Sequence, residues 1–355
     1  MARRPKFVDV DVSFFVVLVI DHLNVLAFCS YFLIAIFQHH RLFITNNYHS
    51  FFEMSFAGRD ILSIEDFSKD ELLHVLDVAA TIQTKKDLLR GCMLGTLFFE
   101  PSTRTRLSFE SAMKRLGGNV IGFSDSRDTS LSKGESFLDT IKVVSGYCDA
   151  IVIRHPEAGS AERAAQVSNL PIINGGDGSN QHPTQTFIDL FTIKQALGKL
   201  DSFSIGFLGD LKYGRTVHSL ASALRHFNVQ MYFISPPSLQ FPKDQLETIK
   251  KFVPCYEVDD LDAVADKLDV VYATRIQQER FQFDEEFQKV KGCYKLDEAF
   301  LKKAKKDVKI LHPLPRIGEI THALDASSNA VYFQQAHNGI PVRMALLSLV
   351  LGKVA

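Results

Sequence analysis

The chain has 355 residues, 46% hydrophobic and 23% charged, with 20 Gly, 12 Pro and no Trp. This excludes disordered, fibrous and repeat architectures, and the length predicts two domains. Lys+Arg 40 against Asp+Glu 41 gives a net charge of -1, which excludes a general field drawing the protein to nucleic acid or an anionic membrane, so anion binding has to be local.

The first 53 residues differ from the rest. Phe14 to Phe37 is a run of 24 residues in which only Asp21, His22, Asn24 and Ser30 are not apolar. That length can span a bilayer, and Arg3, Arg4 and Lys6 ahead of it suit a signal anchor. Asp21 beside His22 near its middle is costly in lipid. The adopted expectation is a true start at Met54, with residues 1–53 as translated upstream sequence or a short extension; the membrane anchor is the alternative.

From Met54 the pattern is that of an α/β protein. Ser68-Lys69-Asp70-Glu71 is a capping box that opens a helix expected over about Lys69 to Leu89. The apolar run Cys92 to Phe99 reads as a buried strand, followed by a helix over Arg104 to Leu116 ending at Gly117-Gly118. Strands at Asn119–Phe123, Ala150–Ile153 and Pro171–Ile173 alternate with helices near Glu135–Tyr147 and Ala161–Ser168. A helix near Thr184 to Leu197 leads into a second series. Its strands are Ser204–Leu208, Gln230–Ile234, Val270–Thr274 and Val308–His312, and its helices lie near Arg215–Phe227, Pro242–Phe252 and Leu261–Lys267. Met344 to Leu351 is an apolar helical run that must pack on a core. Two doubly wound parallel-sheet domains follow from this alternation. Five cysteines without a CxxC pair argue against a disulfide framework or a zinc knuckle and fit a reducing, cytoplasmic setting.

Five segments concentrate chemistry. Phe98 to Arg106 (FFEPSTRTR) sits where a strand ends and a helix begins, so orphan N–H groups, hydroxyls and guanidiniums converge as in a phosphate cradle. A simple helix cap explains one hydroxyl there, not all of Ser102, Thr103, Arg104, Thr105 and Arg106. Asp177 to Gln185 (DGSNQHPTQ) brings His182 and Gln185 to a sheet's carboxyl edge, although a polar turn that caps a helix accounts for it about as well. Gly209 to Thr216 (GDLKYGRT) has P-loop spacing with Arg215 in place of the lysine. A P-loop also needs its lysine on the phosphates and a carboxylate for Mg²⁺ at the end of another strand, and Asp269 precedes its strand instead, so a nucleotidase is rejected and Arg215 reads as a planar fork for a carboxylate. Thr274-Arg275-Ile276-Gln277 ends a strand with a second guanidinium and an amide. In His312-Pro313-Leu314-Pro315-Arg316 the prolines leave carbonyl oxygens free to accept from an amine or amide, although alone it reads as a proline-rich turn.

FEPSTRTR, GDGSNQHPTQT, GDLKYGRTVHSL, TRIQQER and HPLPR, in this order and spacing, resemble the aspartate carbamoyltransferase catalytic chain from about Ala57 to the C-terminus. The sister ornithine enzymes would carry Cys in place of Pro313. The resemblance implies transfer of a carbamoyl group from carbamoyl phosphate to the α-amine of L-aspartate, an early step of pyrimidine synthesis, with no metal or organic cofactor. It also implies roles, residue by residue. Ser102, Thr103, Arg104, Thr105 and Arg154 would hold the phosphate. Arg104, Thr105 and His182 would polarise the carbonyl, and Gln185, Pro313 and Leu314, with Pro315 beside them, would hold the carbamoyl NH₂. Arg215, Arg275 and Gln277 would bind the two carboxylates of aspartate.

Ser130 and Lys133 match a loop that reaches into a neighbouring subunit's site, with one lysine where some members have two; this implies a homotrimer with shared sites. Glu100, Arg215 and Arg280 match an interdomain latch. The expected domains are 1–53 as the extension, 54–185 plus 334–355 for carbamoyl phosphate, and 186–333 for aspartate. A regulatory chain is a possible partner; nucleic acid and membrane are not expected. The alternatives are an ornithine or other amino-acid transcarbamoylase, or a non-catalytic anion-sensing paralogue.

Overall fold

The computed structural model describes residues 56–354 except Ser126, Asp128, Glu279, Arg280 and Gln282. The expectations for residues 1–53, and the latch role of Arg280, lie outside the described residues. Phe56 onward forms one compact unit. Among the described residues no helix is long and apolar enough to cross a membrane.

Among the described residues the first α-helix is α1 (Lys69–Thr81), whose Ser68 hydroxyl and Glu71 carboxylate make the expected reciprocal capping box. The helix is shorter than expected. At its end the Thr81 hydroxyl donates to the Val78 carbonyl and the Thr84 hydroxyl to the Thr81 carbonyl, so β-branched side chains compete with the helical ladder and one 3₁₀ turn finishes it. Then come β1 (Met93–Phe98), α2 (Thr103–Arg115), β2 (Asn119–Phe123), α3 (Phe137–Ser145), β3 (Ala150–His155), α4 (Ser160–Ala165) and β4 (Ile172–Asp177). The long α5 (Pro183–Leu197) starts with Pro183 in its first turn and ends at Gly198, whose φ of 74° suits glycine.

The second series is β5 (Phe203–Leu208), α6 (Arg215–Leu224), β6 (Val229–Ile234), α7 (Lys243–Ile249), β7 (Cys255–Val258), β8 (Val270–Ala273), α8 (Asp284–Val290), α9 (Glu298–Lys303) and β9 (Lys309–Leu311). The helix expected over Leu261–Lys267 is only a 3₁₀ turn at Ala265–Lys267. Its apolar residues Leu261, Val264 and Ala265 are buried, so the segment packs without needing a full helix. Helix α10 (Tyr332–Val350) starts well before the apolar run that announced it and continues through Pro341.

Both sheets are wholly parallel, ordered β2-β1-β3-β4 and β7-β6-β5-β8-β9. In each, the chain leaves a central strand in one direction and returns on its other side. The crevice at such a switch point, beyond the carboxyl ends of the strands, is where open α/β sheets bind ligands. In the first sheet it lies between β1 and β3, where Phe98 pairs with Arg154. In the second it lies between β5 and β8, where Leu208 pairs with Ala273. One apolar cluster runs through both sheets by way of α5, including Leu94 and Val152 on one side and Ile205 and Phe233 on the other. Helix α5 is buried on nearly every side, and α10 packs on α1, α2 and α5.

Candidate active site

The two switch points open into one cleft of about 510 Å³. Ser102, Thr103, Arg104 and Thr105 enter it from the start of α2, Arg154 from the end of β3, and His182 and Gln185 from the start of α5. The second sheet supplies Gly214 and Arg215 before and at the head of α6, with Thr274, Arg275 and Gln277 after β8, while Pro313, Leu314 and Pro315 follow β9. The sequence motifs, spread over two hundred residues, thus meet in one volume.

Ser102 heads α2 without a side-chain cap bond, so the first N–H groups of the helix keep their pull on an anion. Arg104 Nη2 donates to the Leu314 carbonyl at 2.6 Å, tying the cradle to the proline loop. Arg154 Nη2 pairs with Glu100 at 2.8 Å and its Nη1 donates to the Gly175 carbonyl at 3.1 Å. Arg215 approaches the same carboxylate at 3.7 Å and donates to the Gly178 carbonyl. Gly176, at φ 116°, makes room for both: a Cβ there would lie 2.9 Å from Arg154 Nη1 and 3.0 Å from Arg215 Nη2.

His182 is buried, and burial holds its imidazole well below the usual histidine range, helped by Arg215, Arg154 and Arg343. It is neutral at pH 7. Its Nε2 lies 3.5 Å from the Thr105 hydroxyl and its Nδ1 lies 3.5 Å from Thr184 Oγ1. Arg343 Nη2 donates to Thr184 Oγ1 at 3.3 Å, so the threonine hydroxyl can turn its own proton to Nδ1, the arrangement in which Nε2 carries the N–H.

His312 has a different task. Its Nδ1 accepts from the Leu314 N–H at 2.8 Å and its Nε2 meets Glu319 at 2.7 Å, so the ring, which also borders the cleft, has both nitrogens engaged in bracing the proline loop. Burial opposes ionisation of Glu319, yet the His312 bond and backbone donors hold it at about 2. Leu314 sits at φ 58°, which is uncommon outside glycine.

Several working residues escaped the sequence reading. Asp210 lay inside a quoted motif but received no role. Its carboxylate accepts from the Tyr213 N–H at 3.0 Å and the Gln277 N–H at 3.3 Å, so it holds the Arg215 and Arg275 loops together. Arg343 is a buried cation in an apolar helix; burial and Arg154 pull it down to about 9, still charged at pH 7. It donates to Ser108 Oγ at 2.5 Å and lies 4.7 Å from the Phe109 ring centroid. Gln335 and Thr216 also line the cleft. A lone cation inside MALLSLVL's helix was the signal available for Arg343. Ser130 and Lys133 form an exposed 3₁₀ turn and do not line the cleft of their own chain.

Residues 59–195 match the family model for the aspartate/ornithine carbamoyltransferase carbamoyl-P binding domain, and residues 201–350 the model for the Asp/Orn binding domain. The chain belongs to the aspartate/ornithine carbamoyltransferase family. It is 56% identical to the aspartate carbamoyltransferase catalytic subunit of Thermococcus kodakarensis over 306 residues, covering 84% of this chain and 99% of that one. The corresponding subunit of Chromobacterium violaceum is 52% identical over 298 residues, covering 83% of this chain and 98% of that one. Among solved structures, the catalytic subunit of the M. jannaschii enzyme superposes with a TM-score of 0.77 at 51% identity, covering 82% of this chain and 97% of that one. The Trypanosoma cruzi aspartate transcarbamoylase in complex with carbamoyl phosphate and aspartate gives 0.80 at 38% identity, with 84% and 98% covered. Each of these proteins bears the aspartate name, the branch that the proline at 313 suggested.

Proposed function

We propose that the chain is an aspartate carbamoyltransferase, moving the carbamoyl group of carbamoyl phosphate to the α-amine of L-aspartate and releasing phosphate. The observation that carries this is the meeting of five guanidiniums, Arg104, Arg154, Arg215, Arg275 and Arg343, with a neutral buried histidine in one cleft. Two anionic substrates need that much positive charge, and a dicarboxylate suits guanidinium forks.

The phosphate rests on the head of α2, held by Ser102, Thr103, Arg104 and Thr105 with Arg154 alongside. Arg215, Arg275 and Gln277 take the aspartate carboxylates from the other sheet. The amine attacks the carbonyl carbon, and the oxygen that becomes negative receives the His182 Nε2–H, Thr105 and Arg104. Expelled phosphate accepts the amine proton. Positioning and oxyanion stabilisation carry the rate. Gln185 and the Pro313 and Leu314 carbonyls accept from the carbamoyl NH₂, which distinguishes this donor from other acyl phosphates.

The working domains are 54–185 plus 334–355 for carbamoyl phosphate and 186–333 for aspartate, and the protein acts in the cytoplasm as a homotrimer. Exposed Ile121 on β2 at a sheet edge, Leu107 on α2, Val143 on α3 and Tyr147 just after α3 support self-association of the first domain. Ser130 and Lys133 then serve a neighbour's site, which accounts for their place outside their own cleft.

The test is a carbamoyl-transfer assay on the full chain with L-aspartate and L-ornithine offered separately, repeated with a chain beginning at Met54. Carbamoyl aspartate alone is expected from both chains. Carbamoyl ornithine, or anion binding without product, would transfer the assignment to the ornithine or the sensor reading.

A further inference from the structure

Behind the cleft, one buried carboxylate collects three neutral donors. Asp189 on α5 has no exposed surface. Its Oδ1 accepts from Gln185 Nε2 at 2.8 Å and from Gln335 Nε2 at 2.7 Å, and its Oδ2 accepts from the Tyr272 hydroxyl at 2.8 Å. A carboxylate held only by neutral donors in the middle of a buried helix is costly to keep. Burial pushes it up to about 7.

The direction of each bond follows from one donor that cannot be reversed. The backbone N–H of His312 donates to Gln335 Oε1 at 2.8 Å, so Gln335 must turn its nitrogen toward Asp189 Oδ1. Protonation does not change this, since the proton would sit on Oδ2, facing a Tyr272 hydroxyl that also has Thr216 as a hydrogen-bond partner. Oδ1 is therefore an acceptor in both states. Gln185 meets the same oxygen, so it too turns its nitrogen inward and leaves its carbonyl oxygen for the cleft it lines.

We propose that Asp189 is the positioning residue that makes the site select an NH₂ group. It fixes the outward carbonyl of Gln185 and, through Gln335, the start of the Pro313–Leu314 loop that supplies the other acceptors. The inference rests on carbamoyl phosphate being the donor substrate. Without Asp189 the Gln185 amide can turn over and present its own NH₂ to that of the substrate, two donors facing each other.

Acetyl phosphate is the discriminating probe, because it keeps the phosphate and the carbonyl and replaces NH₂ by CH₃. In binding titrations on the full chain, carbamoyl phosphate should exceed acetyl phosphate by at least about tenfold, the worth of one or two neutral hydrogen bonds. Asp189→Leu should bring that ratio within about threefold while inorganic phosphate binds as before. Asp189→Asn should restore the ratio, since its oxygen can accept from both glutamines and its NH₂ can donate to Tyr272.

A purely structural role predicts equal losses for all three ligands, and that result, or an unchanged ratio in a folded Asp189→Leu protein, overturns the proposal. Should the leucine variant not fold, Tyr272→Phe, which spares Oδ1, must keep the ratio and Gln335→Leu must lower it; the reverse pattern is equally fatal. A wild-type protein that binds both acyl phosphates alike refutes the donor assignment itself, and the proposal falls with it.

Discussion

Replacing Glu100 by Gln tests how the two halves of the site communicate. The carboxylate lies 2.8 Å from Arg154 Nη2 in the first domain and 3.7 Å from Arg215 Nη2 in the second, with the three side chains 26%, 15% and 16% exposed. At an effective dielectric of about 20 the two attractions amount to roughly 6 and 4.5 kcal/mol before desolvation. Desolvation offsets most of this, and removing one partner of a buried pair costs about 3–5 kcal/mol. Partial exposure and the hydrogen bond a glutamine retains bring the cross-domain part to about 2 kcal/mol. That loss should raise the aspartate concentration for half-saturation about 30-fold. Phosphate should bind as well or better, because Arg154 loses the carboxylate that competes for it. The assay is initial velocity against aspartate at saturating carbamoyl phosphate, with phosphate affinity measured separately. Unchanged aspartate saturation, or phosphate binding that weakens in step with it, would refute the view of Glu100 as a tie between domains.

Three further outcomes are expected. His182→Ala should lower kcat about 10²–10³-fold at saturating substrates, as for loss of one oxyanion donor, and a KM effect alone would contradict the role. Wild-type kcat should show no titration near pH 6.5 from this histidine, because its folded imidazole is already neutral there; a step removed by the mutation would show otherwise. Asp189, raised to about 7 from an ordinary carboxylate value, contributes stability that is present below about pH 4 and lost as pH rises through 7. The melting temperature of Asp189→Asn relative to wild type should therefore be higher at pH 8 than at pH 5, and an equal difference at both would refute the assignment.

The alternation of apolar runs and helical stretches made the two parallel sheets legible, because buried parallel strands leave continuous hydrophobic segments such as Cys92 to Phe99. Where the reading slipped, tertiary packing had replaced local pattern. Edge strand β7 is half exposed and carries no apolar run. Helix α10 begins in a polar stretch whose Gln335 and Asn338 are buried because partners on other elements satisfy them. The site's cationic and hydroxyl residues stood out because they crowd at strand ends. Asp189 and Arg343 did not, since a single polar residue in an apolar stretch reveals its partners only after folding, and Gln335 did not because nothing marks it out from its polar neighbours.

Helix α10 also bears on how the protein is made. It packs on α1, α2 and α5 and brings Gln335 and Arg343 to a cleft whose first residues lie near Glu100. During synthesis the first sheet leaves the ribosome complete in its strands yet without the helix that closes its flank and completes its anion pocket. The second domain must emerge before that helix is available. A chain interrupted before α10 therefore lacks at least Gln335, Ala336 and Arg343 of the residues that line the cleft, so the cleft is complete only once this helix has been made.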